Sequence, residues 1–282
     1  MLQKSFVRSW LAVAAFWFTS LTSSPAQSFY DGSLGLPSGQ GWLYVAFGAT
    51  QTLTNNGVML DSTASVNAQA GYSYTMPGLL NRTNGFTLRF TSQVISGSHV
   101  NPDRAGFSII LLAGDRRGIE LGFWTNTIFA QSDSPIFTHA EEANYPTATA
   151  LVDYMLTFHA TNYVLSANGT PILSGPVRDY TAFNGFPNPY SSTNFLFFGD
   201  DTTSAGGAFI LKKVGLITAP QLVALPDNRI TWTGVSNQTY TVQSSSNLAS
   251  WTALGSATSA TASFVFTNTS SASPRFFRVG YP

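Results

Sequence analysis

The chain has no cysteine. Disulfides, cysteine nucleophiles and thiolate metal sites are therefore excluded. Each domain must hold itself together by burial alone. An exported chain of this size without disulfides points to a bacterial source. Charge is scarce too: 13 basic and 13 acidic residues balance to a net charge of zero, and charged residues make up only 9%. That balance argues against nucleic acid or an anionic membrane as the partner. There is no Gly-x-Ser-x-Gly elbow, no Asp-x-Asp-x-Asp-Gly loop and no convincing amphipathic helix. The Gly-rich GDDTTSAGG stretch lacks the lysine and following helix of a phosphate loop. His99, His139 and His159 are too scattered in sequence to suggest a zinc site.

Long apolar runs are also missing after the N-terminus. The N-terminus reads as a secretory signal. Lys4 and Arg8 supply the positive region, and Trp10 to Leu21 the short apolar region. Ser24-Pro25-Ala26 offers small residues for cleavage after Ala26, with cleavage after Ser28 a close second. The apolar stretch is shorter than the roughly 20 residues a spanning helix needs. The expectation is a signal peptide over 1–26 and a secreted or extracellular product, on a bacterial surface or in a periplasm. No membrane insertion is expected after signal removal. Removing 1–26 leaves 11 basic against 13 acidic residues.

What is present is alternation. Apolar residues recur at every second position over short stretches, separated by Gly, Pro, Asn, Asp and Ser. This is the pattern of an all-β sandwich or barrel. Strands are expected at Gly41 to Phe47, Gly57 to Leu60, Ser65 to Tyr74, Phe86 to Val94, Gly106 to Leu112 and Ile119 to Ala130. Others are expected at Leu151 to Ala160, Tyr163 to Ala167, Phe195 to Gly199 and Ala208 to Ile217. Long loops are expected at Ser96 to Arg104, Gln131 to Thr149 and Gly175 to Thr193, the segments that usually carry ligand sites. Thr218-Ala219-Pro220 breaks the pattern. Six further short strands follow: QLVAL, RITWTG, TYTVQSSS, WTALGSA, ASFVFTN and RFFRVGY. The expected domains are therefore a large sandwich over 29–217 and a small one over 221–282.

The stretch RAGFSIILLAGDRRGIELGFW, residues 104 to 124, reads as a β-hairpin. Gly114 and Gly118 flank its charged turn and permit positive backbone angles. Ile119, Leu121 and Phe123 should point one way, Glu120, Gly122 and Trp124 the other. A carboxylate and a tryptophan would then share a face with nothing bulky between them.

Several stretches carry a family resemblance. GFTLRFTSQVIS, the hairpin, LVDYMLTFHATNYVLSANGTPILSG and FLFFGDDTTSAGGAFILKKVGLI follow one another as in the concanavalin A-like lectin/glucanase jelly roll, including its laminin-G-like branch. The first domain resembles that family across 29–217. The resemblance implies a large jelly-roll β-sandwich that binds or cleaves glycans. The family's hydrolases carry a Glu-x-Asp-x-x-Glu strand motif, absent here, where Glu120 is the lone glutamate expected in a strand. The C-terminal part is similar to the small immunoglobulin/fibronectin-like module of secreted bacterial proteins. Trp232, Tyr240, Val242, Ser244, Asn247-Leu248, Trp251, Phe264 and Phe276-Phe277-Arg278-Val279 carry that similarity, which implies a spacer or adhesive accessory.

The residues themselves suggest a ligand-binding group of Arg104, Glu120, Trp124 and Asp179. The indole can stack on a pyranose, and Glu120 can accept sugar hydroxyls or act as an acid/base. The alternative is a core tryptophan with Glu120 paired to Arg104, Arg116 or Arg117. Asp200 and Asp201, followed by three hydroxyl residues, form a candidate calcium site if they lie in a loop; otherwise they cap local amides. His139-Ala-Glu141-Glu142 sits where a rim contact or a solvated loop is expected. The aromatics of Gly185 to Tyr190 can stack on a ligand or pin a long loop to the sandwich. The expected function is non-catalytic binding of a glycan or cell-surface polysaccharide. A hydrolase or lyase would need a second acid facing Glu120, with Asp153 or Asp179 the candidates. A structural surface protein without a small ligand is the third possibility.

Overall fold

A computed structural model describes residues 27–76, 80–83, 85–218, 222–225, 228–233, 239–260, 263–269 and 276–280. The expected signal segment lies outside the described residues. The strands up to Thr218 are β1 (Gln27–Asp31), β2 (Leu43–Phe47), β3 (Thr50–Thr54), β4 (Gly57–Asp61), β5 (Gln69–Thr75), β6 (Phe86–His99), β7 (Ser108–Leu112) and β8 (Gly118–Phe123). They continue with β9 (Thr127–Asp133), β10 (Ile136–Asn144), β11 (Val152–His159), β12 (Asn162–Ala167), β13 (Thr170–Pro176), β14 (Phe195–Asp200) and β15 (Ala205–Thr218).

They form two antiparallel sheets. The eight-stranded sheet runs β13-β12-β11-β6-β15-β4-β3, with β1 also on β15; the seven-stranded sheet runs β10-β9-β8-β7-β14-β5-β2. This is a large jelly-roll β-sandwich. Alternation explains it. Leu88, Phe90, Tyr154, Leu156, Leu211 and Val214 of one sheet meet Ile109, Leu111, Ile119, Leu121, Phe123 and Phe198 of the other in one buried core. Each fully buried large side chain contributes roughly 1.5–3 kcal/mol of transfer free energy.

A bulge on β15 decides what one outer face carries. Leu211 pairs with Ser92 and Lys213 with Thr91, so Lys212 is the extra residue. Leu211 and Val214 both enter the core, and the two lysines between them both face outward. The same bulge separates the stretch of β15 paired with β4 from the stretch paired with β1.

Several expected elements differ. Ile119 to Ala130 is two strands, β8 and β9, joined by a short turn. Ile136–Asn144, expected in a loop, is edge strand β10. Its register slips twice against β9 and most of it is half exposed, so its sequence carries no clean alternation. Glu141 and Glu142 therefore also lie in a strand, and Glu120 is not the lone strand glutamate. In the hairpin turn the positive backbone angle falls on Arg116 (φ 65°), not on either flanking glycine. Gly118 is required for space instead: a Cβ there would lie 1.9 Å from the Leu111 carbonyl oxygen.

Beyond Thr218 the strands are β16 (Val223–Ala224), β17 (Arg229–Thr233), β18 (Thr239–Ser245), β19 (Thr252–Thr258), β20 (Ser263–Thr267) and β21 (Phe276–Gly280). Each falls within one of the six expected segments or within a residue of it. They make two three-stranded antiparallel sheets, β16-β17-β20 and β19-β18-β21. Ile230, Trp232, Tyr240, Val242 and Phe264 form a separate small core, with Trp232 stacked on Phe264 at 5.3 Å.

Candidate functional site

The hairpin places Glu120 as its alternation requires. Ile110 stands opposite Glu120 across β7 and β8. Ile119 and Leu121 enter the main core, so Glu120 projects from the outer face of the seven-stranded sheet. That face is not open. The segment 177–194 crosses it, and Tyr180 and Tyr190 pack on Ile110 and Leu112 as a second apolar cluster. Each tyrosine sits on a short 3-10 turn started by a side-chain cap: Asp179 accepts the Thr181 N–H and Asn188 the Tyr190 N–H. The long loop is therefore pinned to the sandwich, and of its aromatics Phe186 alone is fully exposed.

Under this cover Glu120 is completely buried. Tyr190 Oη donates to its Oε2. Arg104 Nη1 lies 3.3 Å from Glu120 Oε1, and Arg104 Nη2 lies 3.3 Å from Asp201 Oδ1. One guanidinium thus bridges two carboxylates, resting 5.0 Å from the centroid of the Phe137 ring. Tyr180 Oη accepts the Glu120 backbone N–H at 3.1 Å and donates to the Gln131 carbonyl at 2.7 Å. Burial holds the Glu120 carboxyl well above the usual carboxylate range; the Asp201 charge adds to this, while Arg104 and the Tyr190 hydroxyl oppose it. Burial pushes the Arg104 guanidinium down, but Asp201 and Glu120 outweigh it and leave the group more firmly protonated than usual.

Two polar atoms in this cluster are buried without any partner, Gln131 Oε1 and His139 Nε2, while Arg104 Nη1 and Glu120 Oε1 have only each other, as an ion pair at 3.3 Å. They lie side by side. Gln131 on β9 pairs in register with His139 on β10, and β9 adjoins the strand of Glu120. Asp103 holds the same two residues, accepting from Gln131 Nε2 (2.7 Å) at its carbonyl and from the His139 N–H (3.0 Å) at its carboxylate. Burial keeps the His139 imidazole below its ordinary pKa. The result is a polar strip, Asp201–Arg104–Glu120–Gln131–His139, across the outside of the sheet.

Trp124 closes one end. Its Nε1 donates to the Arg104 carbonyl at 2.9 Å, tying the indole to the loop that carries the guanidinium. The ring is half-buried, with His99 stacked flat on it at 4.2 Å. The space above Gly122 is not empty: a Cβ there would lie 2.4 Å from the Phe129 ring, which also meets Trp124 edge-on at 5.0 Å. Glu120 and Trp124 therefore share a face, but with a phenyl ring over the glycine between them.

The remaining candidates separate. Asp179 caps its turn and lies 3.3 Å from Arg117, with both side chains well exposed. It reaches the site only through Tyr180, the residue after it. Asp153 accepts from Thr91 on the outside of the other sheet, so the sandwich stands between it and Glu120. The acid beside Glu120 is Asp201. Asp200 turns the other way, buried, accepting from Ser62 Oγ and the Thr202 N–H. Burial raises its carboxyl to about 8, against the pull of those two bonds. Asp200 and Asp201 are thus spent on different protein partners, and among the described residues no group of three or more His, Asp or Glu could hold a metal ion. Tyr180 and Gln131 were not foreseen as site residues, whereas Tyr190 belongs to the loop aromatics expected to stack on a ligand or pin the loop, and it does the second. The alternation of β9 marks Gln131 as outward-facing, but nothing local signals that two loop tyrosines fold over it.

No protein-family model matches the chain. No curated protein matches it either. Among solved structures it is similar to a Bacillus subtilis protein of unknown function with a galectin-like fold, at 12% identity and TM-score 0.44, covering 67% of this chain and 95% of that one. It is also similar to the Emp47p carbohydrate recognition domain, at 11% identity and TM-score 0.39, over 64% of this chain and 89% of that one. A third is a family 7 alginate lyase, at 10% identity and TM-score 0.40, over 60% and 83% respectively.

Proposed function

We propose that the chain is a glycan-binding protein that takes its ligand at the outer face of the seven-stranded sheet, where Arg104, Asp201, Trp124 and His139 keep some exposure around the buried Glu120. The observation that carries this reading is the pair of neighbouring buried polar atoms without partners, Gln131 Oε1 and His139 Nε2, beside the Arg104 ion pairs and the half-buried Trp124 ring. An unpaired buried polar atom costs roughly 1–3 kcal/mol, so these two favour a partner that offers donors and acceptors. A polyhydroxylated sugar has both, and the half-buried Trp124 and Phe137 rings supply apolar faces of the kind sugar rings rest on. The Arg104 and Asp201 side chains keep 12% and 16% exposure beside the buried Glu120. Secretion, and a spacer role for an immunoglobulin-like C-terminal module, belong to the same reading.

A glycan array probed with the full chain tests this. Binding at millimolar sugar or tighter, weakened at least about tenfold by Trp124→Ala with the fold intact, is expected; an array without binding overturns it. One observation favours a second reading, a polysaccharide-cleaving enzyme. Burial raises the Glu120 carboxyl above the usual range with a second acid, Asp201, on the same guanidinium, and a raised carboxyl is what a general acid needs. New reducing ends or unsaturated termini released from a polysaccharide by the protein, and not by Glu120→Gln, would establish cleavage.

A further inference from the structure

The opposite face of the sandwich carries a separate feature. Over the outside of β11, β6, β15 and β1 lies a cleft of about 590 Å³. Ser28, Arg89, Thr91, Asp153, Lys212 and Lys213 line it. Beyond Lys4, the chain has only two lysines, and both are here. The β15 bulge puts them on one side in succession, where an unbroken strand would send one of them into the core. Strand register completes the set. Asp153, Thr91 and Lys213 stand in one row across three strands, and Arg89 lies in the next row beside Gly215, which leaves the floor open.

The charges are not balanced locally. Lys213 meets Asp31 at 3.7 Å, and Asp153 spends one oxygen on the Thr91 hydroxyl at 2.6 Å. Among the described residues, Arg89 and Lys212 have no ion-pair partner. A surplus of cations thus gathers in one concavity of a chain whose overall charge is zero. Bulges that re-aim side chains are common beside binding sites.

From this geometry we propose a second binding site, for an acidic oligosaccharide. Arg89, Lys212 and Lys213 take its carboxylate or sulfate groups, and the Asp153 carboxylate with the Ser28 and Thr91 hydroxyls takes its neutral hydroxyls. The volume lies within the range of small-ligand sites. Asp153 disfavours a uniformly anionic partner such as a nucleic acid. The site does not depend on the glycan reading of the other face.

Titration calorimetry on the full chain at low ionic strength tests it. The probes are an oligogalacturonate, a sulfated dextran, plain dextran and a DNA duplex. Binding to the oligogalacturonate or the sulfated dextran, and not to plain dextran or DNA, is expected; which of the two binds identifies the anionic group. Arg89→Gln and the double variant Lys212→Gln/Lys213→Gln should each weaken it about tenfold or more. Trp124→Ala should leave it unchanged, which separates this site from the first. Arg89, Lys212 and Lys213 lie on the outer face of the sheet, and near-ultraviolet circular dichroism confirms the folding of each variant, Trp124→Ala included. No binding to either acidic probe, equal binding to DNA, or affinity unchanged in both cation variants would overturn the proposal.

Discussion

The two outer faces of the sandwich are built from the same kinds of residue and treat them in opposite ways. On the seven-stranded sheet, Glu120 and Arg104 lie beneath the segment 177–194, and the carboxylate is wholly removed from water. On the eight-stranded sheet, Arg89, Thr91, Asp153 and Lys213 stand in comparable outward positions, and among the described residues no segment lies over them. The energetic weight of each charge follows from the cover. A buried guanidinium between two carboxylates is strongly coupled to both. An exposed pair such as Lys213 and Asp31, 3.7 Å apart with the lysine 59% exposed, is worth about 0–1 kcal/mol. Sheet geometry thus places charges, but the overlying loop decides whether they bear on stability or remain available for a partner.

The comparison breaks first at Arg104. Arg104→Leu strands Glu120 and Asp201 without their cation and should cost about 3–5 kcal/mol near pH 8, measured by urea denaturation. The loss should shrink as pH falls and the Glu120 carboxyl takes up its proton. Tyr190→Phe removes one bond to Glu120 and should cost roughly 1–3 kcal/mol in the same assay. Asp200→Asn should act through pH. The Asp200 carboxyl titrates near 8 in the folded chain against an ordinary aspartate value of 3.8, so the native state holds a proton that the unfolded chain releases. Wild-type stability therefore falls as pH rises from about 4 to about 8, whereas the amide does not titrate. The melting temperature of the variant should overtake that of the wild type as pH climbs, and a pH-independent difference would show that Asp200 is ionised throughout. Arg89→Gln on the open face should move stability by no more than about 0.5 kcal/mol. A larger loss would mean that this cation has a structural partner.

Much of the fold was legible because burial on a sheet writes itself into alternation. The outward position of Glu120 and the inward set Ile119, Leu121 and Phe123 follow from period two alone. So do the six C-terminal strands, each bounded by turn residues. Strand β10 was not legible, since an edge strand with two register slips and half-exposed residues satisfies no periodic template. The site was legible in part. Arg104 was one of three arginines that could have met Glu120, and spatial closeness, not sequence spacing, selects it over Arg116 and Arg117 in the turn. Asp201 was read together with its neighbour Asp200. The end of β14 instead sends one carboxylate to Ser62 and the other to Arg104.

By itself, then, the sequence determined an all-β chain without covalent staples and a hairpin whose glutamate must leave the core. Local periodicity and turn chemistry suffice for that, because each residue's side of the sheet depends only on its neighbours in the strand. Only the tertiary structure decided that Glu120 is buried after all, with Arg104, Asp201 and two tyrosines closing over it. Those contacts join residues up to 97 positions apart. Such pairings follow from how loops lie across a finished sandwich, and the same closure leaves the lysines of the opposite face in the open.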